Sequence, residues 1–280
     1  MPEKKTGAAG VQTKANGGNG MHTQQELTYN LEQLGILPSD TVLVHTSLKS
    51  IGAAEKGADT VLDAFCACLN SGLLVMPGHT WATINAQNPE FDVSESPVCV
   101  GVLPELFRKR NGVYRSLHPT HSLLAFGRDA ERFVQGEEKF DTPCAPDSCY
   151  GKLEKRDGKV LFIGVGFQNC TLLHCVEEVA EVSGRLTDTW EPLQVKKADG
   201  TVISVPSRRH ENANSNYFVK IEPVMAYQNL LTRGKIGDAE AMVCRIQDLF
   251  RVTLALLKKN PRLFDDNQPI PREWYYTKIQ

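Results

Sequence analysis

The chain has 280 residues, 31 Lys and Arg against 33 Asp and Glu, and a formal net charge of −2. That near-balance argues against a nucleic-acid surface, and no run of about 18 apolar residues offers a membrane span. The length is enough for a large core, as one big domain or two intimate ones.

Residues 1–20 lack the apolar stretch of a secretory signal and read as a flexible tail. Residues 21–280 read as a single domain, with no internal repeat and no linker. Eight cysteines without a secretory signal suggest a reducing compartment, so a cytoplasmic protein is expected. Their spacings (Cys66 to Cys68, Cys144 to Cys149, Cys170 to Cys175) do not give the paired C-x-x-C of a zinc site, and they read as small buried side chains. Cys170 is set apart by its place in a central loop.

Thr23–Leu34 has the period of an amphipathic helix and stops at Gly35. Thr41–Val44 is a short apolar strand leading into the hydroxyl-rich segment His45–Gly52. A loop of this kind after a strand can offer backbone N–H groups to phosphate oxygens, although it matches neither common glycine-rich phosphate motif. Residues 57–70 form the next helix, and Leu73–Met76 a second buried strand broken by Pro77 and Gly78. About twenty residues without clear period follow His79 and Trp81. A loop this long is often functional, and it reads as a substrate-facing flap with Trp81 walling a pocket.

Residues 101–110 read as a helix, and Val113–Gly127 as a polar segment running into an apolar strand. Pro119 holds His118 extended. His118 and His121 lack a third ligand at metal-site spacing, so no metal is expected. A helix over 129–135, a loop to Tyr150 and a short helix at Lys152–Lys155 precede the central strand Val160–Ile163. Gly164 and Gly166 open the chain there, and a helix begins with Thr171 as the expected N-cap. His174 falls in its first turn, with Glu177 and Glu178 at i+3 and i+4. An imidazole beside a carboxylate suits proton abstraction near neutral pH; a partly buried histidine capping its own helix is the plainer alternative.

Pro192–Pro206 alternates around Asp199 and Gly200, a β-hairpin signal. A polar loop from Arg208 to Asn216 follows. Helical character returns over Tyr217–Leu231. Residues 234–238 read as a turn, Ala241–Ile246 as a strand and Gln247–Lys259 as an amphipathic helix. The expected fold is α/β: a three-layer αβα arrangement with a mixed central sheet, helices on both faces and a small β-hairpin insertion near residues 187–216.

Three segments together, V-H-T-S-L-K-S-I-G at 44–52, R-S-L-H-P-T-H-S-L-L-A-F-G at 115–127 and L-F-I-G-V-G-F-Q-N-C-T-L-L-H-C-V-E-E at 161–178, resemble the aminoglycoside 3-N-acetyltransferase family in sequence, order and spacing. The resemblance implies acetyl transfer from acetyl-CoA to an amine, a resistance-type activity when the acceptor is an aminoglycoside antibiotic. It places the coenzyme along Ser47, Leu48, Ser50, Ile51 and Gly52, with Arg115, Ser116, His118 and Ser122. It places the catalytic base at His174, with Glu211 slightly preferred over Glu177 and Glu178 as the carboxylate that orients it. Thr171, or backbone N–H groups near Ser47 and Leu48, would face the thioester oxygen. His79, Trp81, Glu178 and His210 are the expected acceptor-binding residues. A homodimer is left open.

The chain departs from the family where Phe167 and Cys170 replace the more common His and Asn, and where His210-Glu211 replaces a more acidic stretch. The competing chemistry is a thiol acyltransferase or hydrolase built on Cys170 and His174, spaced i, i+4 at a helix start.

Overall fold

In the computed structural model, which describes residues 20–212 and 214–276, the apolar runs form strands and the 3.6-period segments form helices. The expected N-terminal tail lies, apart from Gly20, outside the described residues. The chain begins with α1 (Gln24–Gln33), capped by Thr23, whose side chain accepts from Glu26 N at 3.1 Å. It continues through β1 (Thr41–Thr46), α2 (Leu48–Ile51), α3 (Ala58–Cys68) and β2 (Leu73–Pro77). Next come β3 (Glu90–Asp92), α4 (Val102–Phe107), β4 (Tyr114–Arg115), β5 (Leu123–Gly127) and α5 (Ala130–Val134). The middle holds α6 (Cys149–Lys155), β6 (Lys159–Ile163) and α7 (Leu172–Val179). The C-terminal part has β7 (Gln194–Lys196), β8 (Val202–Ser204), α8 (Ile221–Tyr227), β9 (Thr232–Ile236), β10 (Ala239–Arg245) and α9 (Ile246–Lys259).

The main sheet has the order β4-β5-β2-β1-β6-β10-β9. Its centre, β2-β1-β6, is parallel, and both flanks are antiparallel, so the sheet is mixed. Alternation along the central strands sends side chains to two cores. Val42, Val44, Leu161 and Ile163 pack on the side of α1, α3 and α4. Leu43, Val160 and Phe162 pack with residues of α5 to α9. All seven are almost fully buried. Each such side chain stabilises the fold by about 1.5–3 kcal/mol through removal of apolar surface from water.

Two segments differ from the sequence reading. The long loop after His79 contains β3, which pairs in parallel with β7, so the hairpin β7-β8 becomes one edge of a three-stranded sheet. Ile84, Phe91, Leu193, Val195 and Val205 form its own small core. Three residues are too few to show an alternation, so this pairing had no local signal. Residues 234–238 are not simply a turn: β9 runs to Ile236, and Gly237 and Asp238 alone reverse the chain into β10. β9 is an edge strand carrying Arg233 and Lys235, the kind of charge that discourages pairing with other chains and also masks the strand pattern.

Candidate active site

β1 and β6 run in parallel at the middle of the sheet, with Thr46 opposite Ile163. Their carboxyl ends open at the same edge, where open α/β sheets bind ligands. The two loops there close on each other. Ser47 N donates to Ile163 O at 2.9 Å, and Gly164 N to Glu240 O at 2.8 Å. Gly164 has φ +63°, and a Cβ on it would lie 2.3 Å from Ser50 Cβ, so both backbone angle and space require glycine.

α7 enters this edge after a short 3-10 turn, Phe167–Asn169. Thr171 precedes it with helical backbone, and its side chain does not cap the helix; the hydroxyl instead meets the Tyr150 phenol. His174 does sit in the first turn. Its Nδ1 lies 3.1 Å from Glu177 Oε2, while Arg185 Nε donates to Glu177 Oε1 at 2.6 Å. Arg185 also donates to Asp265 Oδ1 and to the carbonyl of Asn212. Glu177 is 1% exposed. With one oxygen of Glu177 accepting from Arg185, its other oxygen faces the ring as an acceptor, which places the imidazole proton on Nδ1. Nε2 keeps its lone pair, and among the described residues it has no hydrogen-bond partner.

Glu178 turns to a different set of partners. It accepts from Thr142 Oγ1 at 2.6 Å and Cys144 N at 2.9 Å, and meets His210 Nε2 at 2.8 Å. Among the described residues no Lys or Arg pairs with it, and burial pushes its carboxyl up to about 7. The His210 ring stacks on His174, with centroids 4.3 Å apart and planes at 25°. His121 lies 5.6 Å from His210 and 4.7 Å from His79, and His79 Nε2 meets the Tyr150 hydroxyl at 2.6 Å. Burial holds His79, His121 and His210 well below the ordinary imidazole range, with neighbouring imidazoles adding to the shift. These rings are therefore neutral at pH 7.

A cleft of about 400 Å³ opens onto this group, lined by His174, His210, His79, His121, Trp81, Gln168 and Arg209 among others. That volume suits a small-molecule site. Phe218 stands edge-on to His174 at 4.8 Å. Of the expected acceptor-binding residues, His79, Trp81 and His210 face this cleft, whereas the largely covered Glu178 side chain reaches it only through His210.

Several expected residues are placed differently. Glu211 is exposed, and its backbone N–H donates to Arg185 O at 3.0 Å; among the described residues no hydrogen bond or ion pair joins its side chain to His174. Glu177 occupies that position because α7 turns its first two turns toward the 185–212 segment. Cys170 is 1% exposed, and burial pushes its thiol up to about 12. A thiol so held is not a thiolate nucleophile, which removes the basis of the Cys170–His174 reading.

The coenzyme candidates divide into two groups. Ser47, Leu48, Ser50 and Gly52 are partly accessible beside the Gly164 loop, with Ser50 Oγ donating to Ser47 Oγ at 2.9 Å. Ile51 is fully buried in the core, and the Ser47 N–H is already taken by Ile163. Ser116, His118 and Ser122 are fully buried and Arg115 nearly so. Arg115 donates to Ser122 Oγ at 3.0 Å, Ser96 O at 2.6 Å and Gly78 O at 2.6 Å, with its guanidinium over Phe91. Ser116 Oγ accepts from Leu123 N, and His118 Nδ1 accepts from Thr120 N and His121 N. These four side chains brace the strand ends from inside and do not line the cleft; Arg115 alone borders a separate cleft of about 530 Å³. Their hydroxyl- and imidazole-rich pattern is that of a ligand loop, but their partners are mainly backbone carbonyls and amides, with one bond between two of them, Arg115 and Ser122.

Sequence reasoning missed Arg185, Phe218 and the pair Thr142 and Cys144. Arg185, Thr142 and Cys144 sit in irregular segments with no periodicity, Phe218 sits in a 3-10 turn, and only the partner each meets in space gives it a role.

Among the described residues, no helix is long and apolar enough to cross a membrane. The family model for aminoglycoside 3-N-acetyltransferase matches residues 43–258. Aminoglycoside N(3)-acetyltransferase IV from Salmonella sp is 30% identical over 242 residues, covering 85% of this chain and 88% of that one. Aminoglycoside N(3)-acetyltransferase III from Salmonella sp is 30% identical over 267 residues, covering 86% and 93%. Among solved structures, apo aminoglycoside acetyltransferase AAC(3)-IVa superposes with a TM-score of 0.75 at 28% identity, covering 90% of this chain and 93% of that one. A variant of the same enzyme was solved in complex with a gentamicin, and it superposes equally well, with a TM-score of 0.75. With its αβα fold, its loop pair at β1 and β6 and a match over most of its length, the chain belongs to the aminoglycoside 3-N-acetyltransferase family of acyltransferases.

Proposed function

We propose that the protein moves the acetyl group of acetyl-CoA to a primary amine by direct attack, with His174 as the general base. The observation that carries this is the bond from His174 Nδ1 to a buried, Arg185-paired Glu177, which leaves Nε2 as the basic nitrogen at the cleft. An alkylammonium has no lone pair, so it must first lose a proton, here to Nε2. The freed nitrogen attacks the thioester carbonyl, the C–S bond breaks, and coenzyme A leaves as a thiolate that takes up the second proton lost by the acetylated nitrogen. Glu177 stabilises the imidazolium formed in the first step. The Thr171 hydroxyl lines the cleft and is the side-chain donor nearest in kind to what the developing oxyanion needs. The acetyl donor binds beside Ser47, Leu48, Ser50 and Gly52.

Membership of the family favours an aminoglycoside 3-amino group as acceptor. One observation favours a second reading, an amine of lower charge. Among the described residues the lining of the cleft includes Arg209 and four histidines but no Asp or Glu. A polycation needs carboxylates to replace its water, and Glu177 and Glu178 are already engaged behind the imidazoles. The test is thiol release from acetyl-CoA with gentamicin, apramycin and a set of monoamino sugars. Release with the antibiotics supports the first reading. Release with monoamines alone supports the second. Release with none of them, together with no calorimetric binding of acetyl-CoA, would sink the proposal.

A further inference from the structure

We propose that Cys144, Glu178 and His210 form a zinc-class metal site directly behind the stacked histidines. Their ligand atoms, a thiol sulfur, a carboxylate oxygen and a ring nitrogen, all lie within 4.8 Å of one another. They come from three separate segments: the loop before α6, the helix α7 and the loop after β8. Sulfur, nitrogen and oxygen together are a donor set for a borderline cation such as Zn²⁺ and not for Mg²⁺ or Ca²⁺.

Glu178 and Cys144 are also incompletely served without a cation. The Glu178 side chain is 4% exposed, and among the described residues no Lys or Arg pairs with it, whereas its neighbour Glu177 has Arg185. The polar contact of the Cys144 thiol is a long one, 3.9 Å to the carbonyl of Thr171. Among the described residues the buried His210 Nδ1 has no hydrogen-bond partner, so no bond there opposes its carrying the ring proton. Metal on Nε2 requires the ring proton on Nδ1, and this tautomer disturbs no bond except that to Glu178, which the metal replaces. Binding displaces the Cys144 thiol proton to solvent. A thiolate and a carboxylate then balance the two positive charges, so the buried group becomes neutral as a whole. Thr142, donating to the other Glu178 oxygen at 2.6 Å, is placed to orient that carboxylate. The ion would tie His210 against His174 and pin two loops to one helix. Two of the three ligands, Glu178 and His210, were read from sequence as acceptor contacts, and the cysteine spacing excluded only a cysteine-pair site.

The test is Co²⁺ titration of chelator-treated protein, followed by thiolate-to-cobalt charge-transfer absorption and by metal content after desalting. One equivalent with that absorption is expected for the unsubstituted protein and for Cys170→Ala. Losing an outer-shell partner alone weakens metal sites about 10- to 100-fold, so Cys144→Ala, His210→Ala and Glu178→Gln should each exceed that, and Cys144→Ala should also lose the absorption. Circular dichroism identifies any variant that fails to fold, and the remaining two then carry the comparison. No cobalt uptake, or uptake with the same absorption and affinity in the folded variants, would overturn the site. Neither result depends on whether the protein acetylates anything.

Discussion

His174 and His210 stack with ring centroids 4.3 Å apart, and each is held by one of two consecutive glutamates, Glu177 and Glu178. The two rings cannot both be charged at that distance without mutual repulsion. Burial and the neighbouring His174 keep His210 neutral. Under the proposed mechanism the proton taken from the acceptor goes to His174, whose carboxylate carries a matching guanidinium.

Replacing His174 by Ala should lower kcat by about 10²- to 10⁴-fold, the usual contribution of a positioned base. Acetyl-CoA affinity should change little, since the coenzyme candidates lie on the Ser47–Gly52 side. Steady-state kinetics beside calorimetry checks both; unchanged kcat would remove His174 as the base.

Arg185→Leu leaves Glu177 buried beside a hydrophobe. Removing one partner of a buried pair costs about 3–5 kcal/mol, read as a lower urea midpoint at pH 7. Because the carboxylate that holds the His174 ring then loses its cation, the acid limb of the kcat profile should also move. A stability loss without any change in that profile would mean that Arg185 serves the fold alone.

Cys170→Ala should retain activity within a few-fold, and the native protein should resist thiol reagents at this position. The side chain is 1% exposed and its thiol is pushed up to about 12. Rapid inactivation traced by mass spectrometry to Cys170 would restore the thiol mechanism.

Acid should destabilise the protein in two stages. Burial lowers His45 to about 4 and His118 to about 3, from an ordinary 6.5. The unfolded chain therefore binds protons at these groups first. Their contribution is full above pH 6.5 and declines by about 1.4 kcal/mol per pH unit per group as pH falls, until the folded values are reached. Glu137 and Glu178 are raised by burial, so the folded state binds their protons first. This offsets part of the loss until the unfolded glutamates titrate near 4.5. Urea midpoints should thus fall gently from pH 7 to about 4.5 and steeply below it. A flat profile down to pH 4 would contradict the buried-neutral state of His45 and His118.

The layers are legible in the order of residues alone. Strands such as Val160–Ile163 and helices such as Gln247–Lys259 are legible because one face or both must be apolar, and that periodicity survives without knowledge of neighbours. The order of residues also placed His174 in the first turn of a helix with carboxylates one turn on. Only the tertiary structure decided which carboxylate meets the ring. Glu177 and Glu211 are alike as residues, and what separates them is that Arg185 arrives at Glu177 while Glu211 stays exposed. The same holds for Ser116, His118 and Ser122, polar side chains whose chemistry suits a ligand loop but whose hydrogen bonds are made inside the protein. β3 was invisible because its partner, β7, lies about a hundred residues away and three residues carry no pattern of their own. Periodicity reports a residue's face, whereas burial, pairing and proton affinity depend on what long-range contact brings to that face.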